Sequence, residues 1–379
     1  MQIARTPRLD LWSRAMLEGV EGASIRPLAG IGLPARMAAR DSTVSPGRRN
    51  NDAMTMTRRG LVAALPTVAL LPSLARAQAG WPDRPVRFVV PFPGGSSPDL
   101  TGRVVAEHLA RVLGQPVVVD NRTGAGGNIG TDAIAKATDG HVIGLSINGP
   151  LTTAPALYPN LPYDPVKDLI AVSLLARGPQ FLVVNNDLPV TDLPGFLAHV
   201  RANPGKLAFG SVGPGSGGHL GMIDLLGRSG GLEMLHVSYR GFAAATLDLV
   251  AGRIQAMMVT TAAVLPQVQA GQIRPIAVTS ANRFALTPQV PTLAEQGLVN
   301  AESYGWQTMV VPASTPPERV ARLAAETQRG LREPAARQRL EAAGFEVMAT
   351  TPAEATAFLA EETARWGGMI RRLNIRLDG

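Results

Sequence analysis

Cysteine is absent from all 379 residues, which excludes both a disulfide framework and a lipid-anchored N-terminal cysteine. Aromatic residues are scarce, at 4%, and no long proline or glycine run exists. The 40 glycines and 31 prolines therefore describe many short, shaped turns in a globular chain rather than disorder. The apolar run at 60–74 is too short for a membrane span and is broken by Pro66 and Pro72. Even the excess of positive charge is local. Residues 1–77 hold eleven arginines against five acids, so +6 of the net +7 belongs to that segment. With about +1 left for the remainder, a nucleic-acid partner is not expected.

The basic segment reads as a secretion signal. Arg58 and Arg59 give a positive n-region, 60–74 an apolar h-region, and Ala75-Arg76-Ala77 a small-residue cleavage site. Thr57-Arg58-Arg59 weakly resembles a twin-arginine signal, and Sec export fits equally. Met54 and Met56 would each start a signal of normal length. Residues 1–53 are thus expected to be an over-extended N-terminus, 54–77 the signal peptide, and the mature product a soluble periplasmic protein.

From Val86 onward, short β-branched runs alternate with helical patterns, predicting a largely parallel α/β architecture. Strands are expected at 86–92, 116–121, 141–148, 180–185, 207–212, 234–239, 254–260, 274–280, 308–313 and 345–349. Helices are expected at about 100–113, 129–137, 192–202, 219–229, 242–252 and 262–270. Thr315-Pro316-Pro317-Glu318 and Thr351-Pro352-Ala353-Glu354 read as capping boxes. The second opens a C-terminal helix that sets Phe358, Trp366 and Ile370 on one core-facing side. Turn signals at 177–179 and 304–306 divide the chain into one domain of 80–178 plus 306–379 and another of 179–305. Two α/β domains joined by crossing strands would place a ligand cleft between them.

Strand, glycine-rich loop and helix start recur three times, at 91–99, 121–130 and 211–219. In an open α/β sheet such loops lie at the carboxyl ends of the strands, beside the crevice. Glycine permits close backbone approach, and helix N-terminal amides donate to anions. Ser96, Ser97, Asn128, Ser211 and Ser216 add hydroxyl and amide groups. Any single loop is equally a tight turn, but three together describe an oxyanion site without a fixed cation.

Other chemistries fit poorly. Gly213, Gly215 and Gly218 satisfy G-x-G-x-x-G, with Glu233 about 20 residues on. In a dinucleotide fold, however, the acid ends the second strand, whereas Glu233 begins one, and Pro214 sits inside the turn. No cofactor is expected. No serine has the flanks of a nucleophile elbow, and the five histidines lack zinc-type spacing, so neither catalysis nor a metal is expected. His219, in a first helical turn, either shapes the pocket or packs. Asp99 fits a capping role better than that of a general base. Arg240 is either a solvated strand-end cation or a partner for an acidic ligand.

At these loops the chain resembles the tripartite tricarboxylate transporter substrate-binding family, the Bug receptors. The resemblance runs collinearly through nearly all of 80–379. It includes Trp81-Pro82-Asp83-Arg84-Pro85, Val89-Val90-Pro91-Phe92-Pro93-Gly94-Gly95 and Gly124-Ala125-Gly126-Gly127-Asn128-Ile129-Gly130. Further matches are Leu161-Pro162-Tyr163-Asp164-Pro165, the loop ending at His219-Leu220, and Ala277-Val278-Thr279-Ser280. It implies a type II periplasmic binding-protein fold that clamps a small organic acid and delivers it to transporter membrane subunits. Carried over by position, the contacts would be Gly95, Ser96, Ser97, Asn128, Ser211, Ser216 and His219. A monomer is expected. Val259-Thr260-Thr261 stands where many relatives carry an acidic or amide residue, which favours a plain carboxylate over an amino acid. A receptor for an inorganic oxyanion or phosphoester, and an exported enzyme on the same fold, remain as alternatives.

Overall fold

The computed structural model describes residues 80–373 and 375. The expected extension 1–53 and signal 54–77 lie outside the described residues. Among the latter, ten strands join into one hydrogen-bonded order. They are β1 (Val86–Val90), β2 (Val117–Asn121), β3 (Val142–Ile147), β4 (Leu169–Val184), β5 (Ala208–Ser211), β6 (Leu235–Ser238), β7 (Ala256–Thr260), β8 (Arg274–Val278), β9 (Tyr304–Pro312) and β10 (Glu346–Val347). The helices are α1 (Ser97–Leu113), α2 (Asn128–Ala135), α3 (Ala154–Leu157), α4 (Leu193–Ala202), α5 (Gly217–Arg228), α6 (Phe242–Val250), α7 (Thr261–Gln269), α8 (Pro317–Arg332), α9 (Pro334–Ala342) and α10 (Pro352–Arg372).

The order β2-β1-β3-β9-β4-β7-β5-β6 is parallel only toward its ends. In the centre β9 runs antiparallel to both β3 and β4, and β4 antiparallel to β7. The sheet is therefore mixed, where the sequence predicts a largely parallel one. The reason is β4. Its first part, up to Pro179, pairs with β9, and from Gln180 onward it pairs with β7 and β8. One 16-residue strand thus links two halves of the sheet, and two register shifts against β9 let it twist as it passes.

Each half is covered by helices because the inner strands β3, β4, β7 and β9 are buried on both faces. In the first half, Val104, Val105, Leu109 and Leu113 of α1 pack on Phe88 and Val90. Each such buried side chain contributes about 1.5–3 kcal/mol relative to exposure. Gly102 permits the approach, since a Cβ there would stand 2.7 Å from Val90 Cγ2. Gly114, at φ 71°, ends the helix in the left-handed conformation. In the second half, α4 and α5 cover one face through Phe196, Val200 and Met222, while α6 and α7 cover the other through Leu249 and Val264.

Of the two expected capping boxes, only that at Thr351 forms. Its hydroxyl accepts from Glu354 N, and Glu354 Oε2 accepts from Thr351 N at 2.8 Å. At α8 the cap is Pro316, which has no side-chain acceptor to offer. Glu362 of α10 accepts from both Trp306 Nε1 and Trp366 Nε1, tying the helix to β9. Trp366, Met369 and Ile370 then pack with Leu157 and Leu220, one residue from each half. No helix among the described residues is long and apolar enough to cross a membrane.

Candidate functional site

The strand ends of both halves meet at a crevice, and a small internal cavity of about 40 Å³ lies there. The first half supplies Ile147 and Asn148 from the end of β3, and the linking strands supply Gln180 and Gly305. The second half supplies Ser211, Ser216, Gly217 and Gly218 of the third loop, Phe242, and Met257 to Thr260 of β7. None of the lining residues is ionisable. The donors are nonetheless clear. Gly217 and Gly218 are the first two residues of α5, where amides have no intrahelical acceptor. Gln180 is 2% exposed, and its Oε1 accepts from Ser303 Oγ at 2.8 Å, which leaves Nε2 as a donor on the cavity side. Asn148 is held by β9, donating to Tyr304 O and accepting from Trp306 N.

A second chamber, about 700 Å³, opens alongside. The first loop, Pro93 to Ser97, forms one wall, and the faces of α6 and α7 form the other. Phe242 lines both spaces, with its ring stacked on Phe92 at 5.7 Å between centroids.

The three glycine loops therefore play different parts. The first loop borders the outer chamber, but much of its polarity is spent internally. The Gly95 amide donates to Asp99 Oδ2 at 2.9 Å, and Ser96 Oγ donates to Pro93 O at 2.6 Å. Ser97, at the start of α1, keeps its hydroxyl clear of any hydrogen bond within the described residues. Asp99 is the buried anchor of this loop, accepting also from Asn121 Nδ2 and Arg103 Nε. Burial works against its charge, yet the hydrogen bonds from Arg103, Gly95 and Asn121 outweigh it and hold the carboxyl below its ordinary pKa.

The second loop lines neither space. Its residues 124–127 all have positive φ, Ala125 included. This conformation brings Gly126 against the third loop, so that a Cβ on Gly213 would lie 3.0 Å from Gly126 Cα. Asn128 is turned toward Tyr163, whose hydroxyl lies 2.9 Å from Asn128 Oδ1.

In the third loop Ser211 and Ser216 line the inner cavity. Ser211 Oγ accepts from Gly213 N, donates to Gly213 O, and lies 2.7 Å from His236 Nε2. If the hydroxyl proton goes to Gly213 O, His236 must donate from Nε2, which assigns its tautomer. His219 faces away from the cavity. Its Nδ1 accepts from Gly215 N at 3.1 Å, and its ring sits 4.1 Å from that of His236. Burial, with His236 as neighbour, pushes the His219 pKa down to about 3, and burial pushes His236 to about 4. Both imidazoles are neutral supports beneath the loop. The G-x-G-x-x-G glycines serve packing: a Cβ on Gly218 would collide with Met258 O, and one on Gly215 with Leu157.

Sequence reasoning missed Asn148, Gln180 and Phe242. Asn148 could have been found, because it ends a predicted strand on the crevice side. Gln180 and Phe242 carry no local signal that separates them from ordinary strand and helix residues.

Two α/β halves linked by crossing strands, with a donor-lined crevice at the strand ends, define a periplasmic binding-protein fold. Solved relatives share it. The Rhodopseudomonas palustris protein Rpa4515, solved with adipate, superposes with a TM-score of 0.75 at 33% identity, over 78% of this chain and 100% of that one. MatC from the same species, with bound malate, gives 0.73 at 30% identity, over 76% and 100%. BugT of Bordetella pertussis is 36% identical over 299 residues, which are 78% of this chain and 91% of BugT. Residues 101–375 match the model of the tripartite tricarboxylate transporter family receptor, and the chain belongs to that family of Bug-type receptors.

Proposed function

We propose that this chain is an extracytoplasmic receptor that captures a small organic carboxylate, leaves it chemically unchanged, and passes it to tripartite transporter membrane subunits. Two lobes, 80–178 with 306–379 and 179–305, close over the ligand by bending where β4 and β9 cross. One observation carries the reading: the inner cavity offers neutral donors at the start of α5 and a buried amide, and no ionisable group. Such a site suits a guest that brings its own negative charge. In solved family relatives the guests are adipate and malate.

Gly217, Gly218, Ser216 and Gln180 hold the acid group in the inner cavity. Gly95, Ser96 and Ser97 face the body of the ligand in the outer chamber. Ser211 borders the cavity with its hydroxyl committed to the third loop, while Asn128 and His219 act from behind, by fixing the loops. An ammonium group would meet no carboxylate in the lining of either space, which favours a plain carboxylic acid over an amino acid.

Thermal unfolding against a panel of mono- and dicarboxylates, amino acids, phosphate and phosphoesters tests this. Carboxylates are expected to raise the melting temperature in proportion to affinity. Ligand recovered from the complex should be unaltered by mass spectrometry. Stabilisation by phosphate alone, or conversion of the bound acid, overturns the proposal.

A further inference from the structure

The outer chamber has an electrostatic character that the inner cavity lacks. Arg240 is the sole charged residue in its lining, and no carboxylate stands there to balance it. Among the described residues no acid lies within ion-pair distance of this guanidinium, although Arg228, Arg253, Arg274 and Arg283 of the same half are all bonded to acids or carbonyls. Two helix beginnings open on the same space. Ser97 starts α1 on one wall, and Phe242 and Ala243 start α6 on the other. The start of α6 has no acid in its first turn, whereas that of α1 already faces the Asp99 carboxylate, so Arg240 and the α6 end are the positive features of this chamber.

The wall formed by α6 and α7 carries apolar side chains beside the polar Thr246, Gln267 and, just past α7, Gln272. Phe242, Ala244, Leu247 and Ala263 line it, and Leu247 is 69% exposed. A large aliphatic side chain left open to solvent in a concave wall is suited to lie against a hydrocarbon segment. The inner cavity, at about 40 Å³, has room for a single acid group and not for a whole ligand. A guest must therefore leave its body in the outer chamber, whose lining combines Phe242, which borders both spaces, the apolar residues of α6 and α7, and Arg240.

We infer that Arg240 is a specificity-determining residue, selecting ligands that carry a second anionic group at the far end of an apolar spacer. This rests on the receptor reading above and extends it from the acid group to the whole ligand. The first acid group is recognised by neutral donors inside, the spacer by α6 and α7, and the second acid group by Arg240.

The test is calorimetric titration of wild type and Arg240→Gln with straight-chain diacids from succinate to suberate, each paired with the monoacid of equal carbon number. Wild type is expected to bind its best diacid about tenfold more tightly than the matched monoacid, the scale of one partly screened charge-assisted contact. Arg240→Gln should abolish that ratio while shifting monoacid affinity less than about twofold. Its melting temperature without ligand should equal that of wild type, because Arg240 has no ion pair to lose. Arg240→Lys should restore part of the ratio. Equal binding of diacids and monoacids by wild type overturns the assignment, as does a Gln variant that weakens both alike or neither. Absence of binding by wild type across the whole series overturns the receptor reading itself, and the role of Arg240 with it.

Discussion

Replacing Asp99 by Asn would separate the shape of the first loop from its charge. The carboxylate is 3% exposed and takes three donors: Gly95 N and Arg103 Nε on Oδ2, and Asn121 Nδ2 on Oδ1. An asparagine amide has one oxygen. If that oxygen serves Gly95 and Arg103, its NH₂ confronts the Asn121 NH₂. Asn121 cannot turn over to relieve this, because its Nδ2 also donates to Phe92 O at 2.8 Å. One buried donor then loses its acceptor, at about 1–3 kcal/mol, and losing charge assistance in the remaining bonds adds about 1 kcal/mol. The Arg103 ion pair itself contributes little, since that side chain is 53% exposed. Urea unfolding at pH 7 should show a loss of about 2–4 kcal/mol. The gap should also depend on pH. The folded-state pKa of Asp99 lies below its unfolded value of 3.8, so its contribution is present above that value and fades as pH falls through the folded pKa. Two results would refute the reasoning: a variant within about 0.5 kcal/mol of wild type at neutral pH, or a gap that persists unchanged into strong acid.

Other perturbations separate closure, folding and support. Gly241 has an extended backbone, φ −172°, so a side chain brings no strain; its nearest neighbour is Pro93 Cγ, 3.1 Å from a built Cβ, across the crevice. Gly241→Leu should therefore crowd Pro93, lower ligand-free stability by about 1–3 kcal/mol in urea melts and weaken carboxylate binding by about tenfold in calorimetry; unchanged affinity would show that the two sides need not meet. Gly218→Ala sets a methyl against Met258 O, and should lower folding stability by about 2–3 kcal/mol in urea melts as α5 is pushed off β7. His219 and His236 have folded pKa values of about 3 and about 4, below the unfolded value of 6.5, so stability should fall as pH drops below 6.5. The buried His219 should add up to about 1.4 kcal/mol per pH unit to that fall and the half-buried His236 less, because solvent screens it, and His236→Asn should remove that smaller share, read from urea melts between about pH 7 and pH 5; identical slopes in both proteins would show that the fold does not hold His236 neutral.

The outline of the fold was legible because helix and strand periods are local. Nine predicted strands coincide with observed ones to within a few residues, as does every predicted helix. For β4 only Gln180–Val184 was legible, under a third of its 16 residues. Its first part, Leu-Ile-Ala-Val-Ser-Leu-Leu-Ala, lacks alternation because both faces are buried, so period alone cannot identify it as strand. That omission also concealed the mixed direction of the sheet, which depends on how β4 and β9 pair at long range. At the site, residue types were legible but directions were not. Gly95 reads as a free amide until Asp99 is seen to occupy it, and His219 reads as a pocket residue until its ring is found beneath the loop. Glycine spacing reveals that backbone comes close to something. In the second loop that something is the third loop, at Gly213, as much as any guest.

The lack of a cation in the inner cavity has a physical reason tied to a cycle of filling and emptying. A buried arginine there would bind an acid strongly, but in the empty receptor it would stand desolvated and unpaired, at several kcal/mol. Its affinity for the guest would then make release to a transporter slow. Two helix-end amides and the Gln180 amide behave differently. Each gives about 1.5–3 kcal/mol to a charged acceptor, and together they offset much of the desolvation of one carboxylate. Once the acid leaves, they are neutral groups that a water can satisfy in a space of about 40 Å³. On the proposed reading, keeping the inner donors neutral and holding full charge for Arg240, an exposed residue of the outer chamber, would let the cleft choose its guest without trapping it. Introducing a cation where Gln180 stands, as in Gln180→Arg, should accordingly slow dissociation in stopped-flow displacement and destabilise the empty protein together; a variant that gains affinity with no loss of ligand-free stability would show that the neutrality of this cavity is incidental.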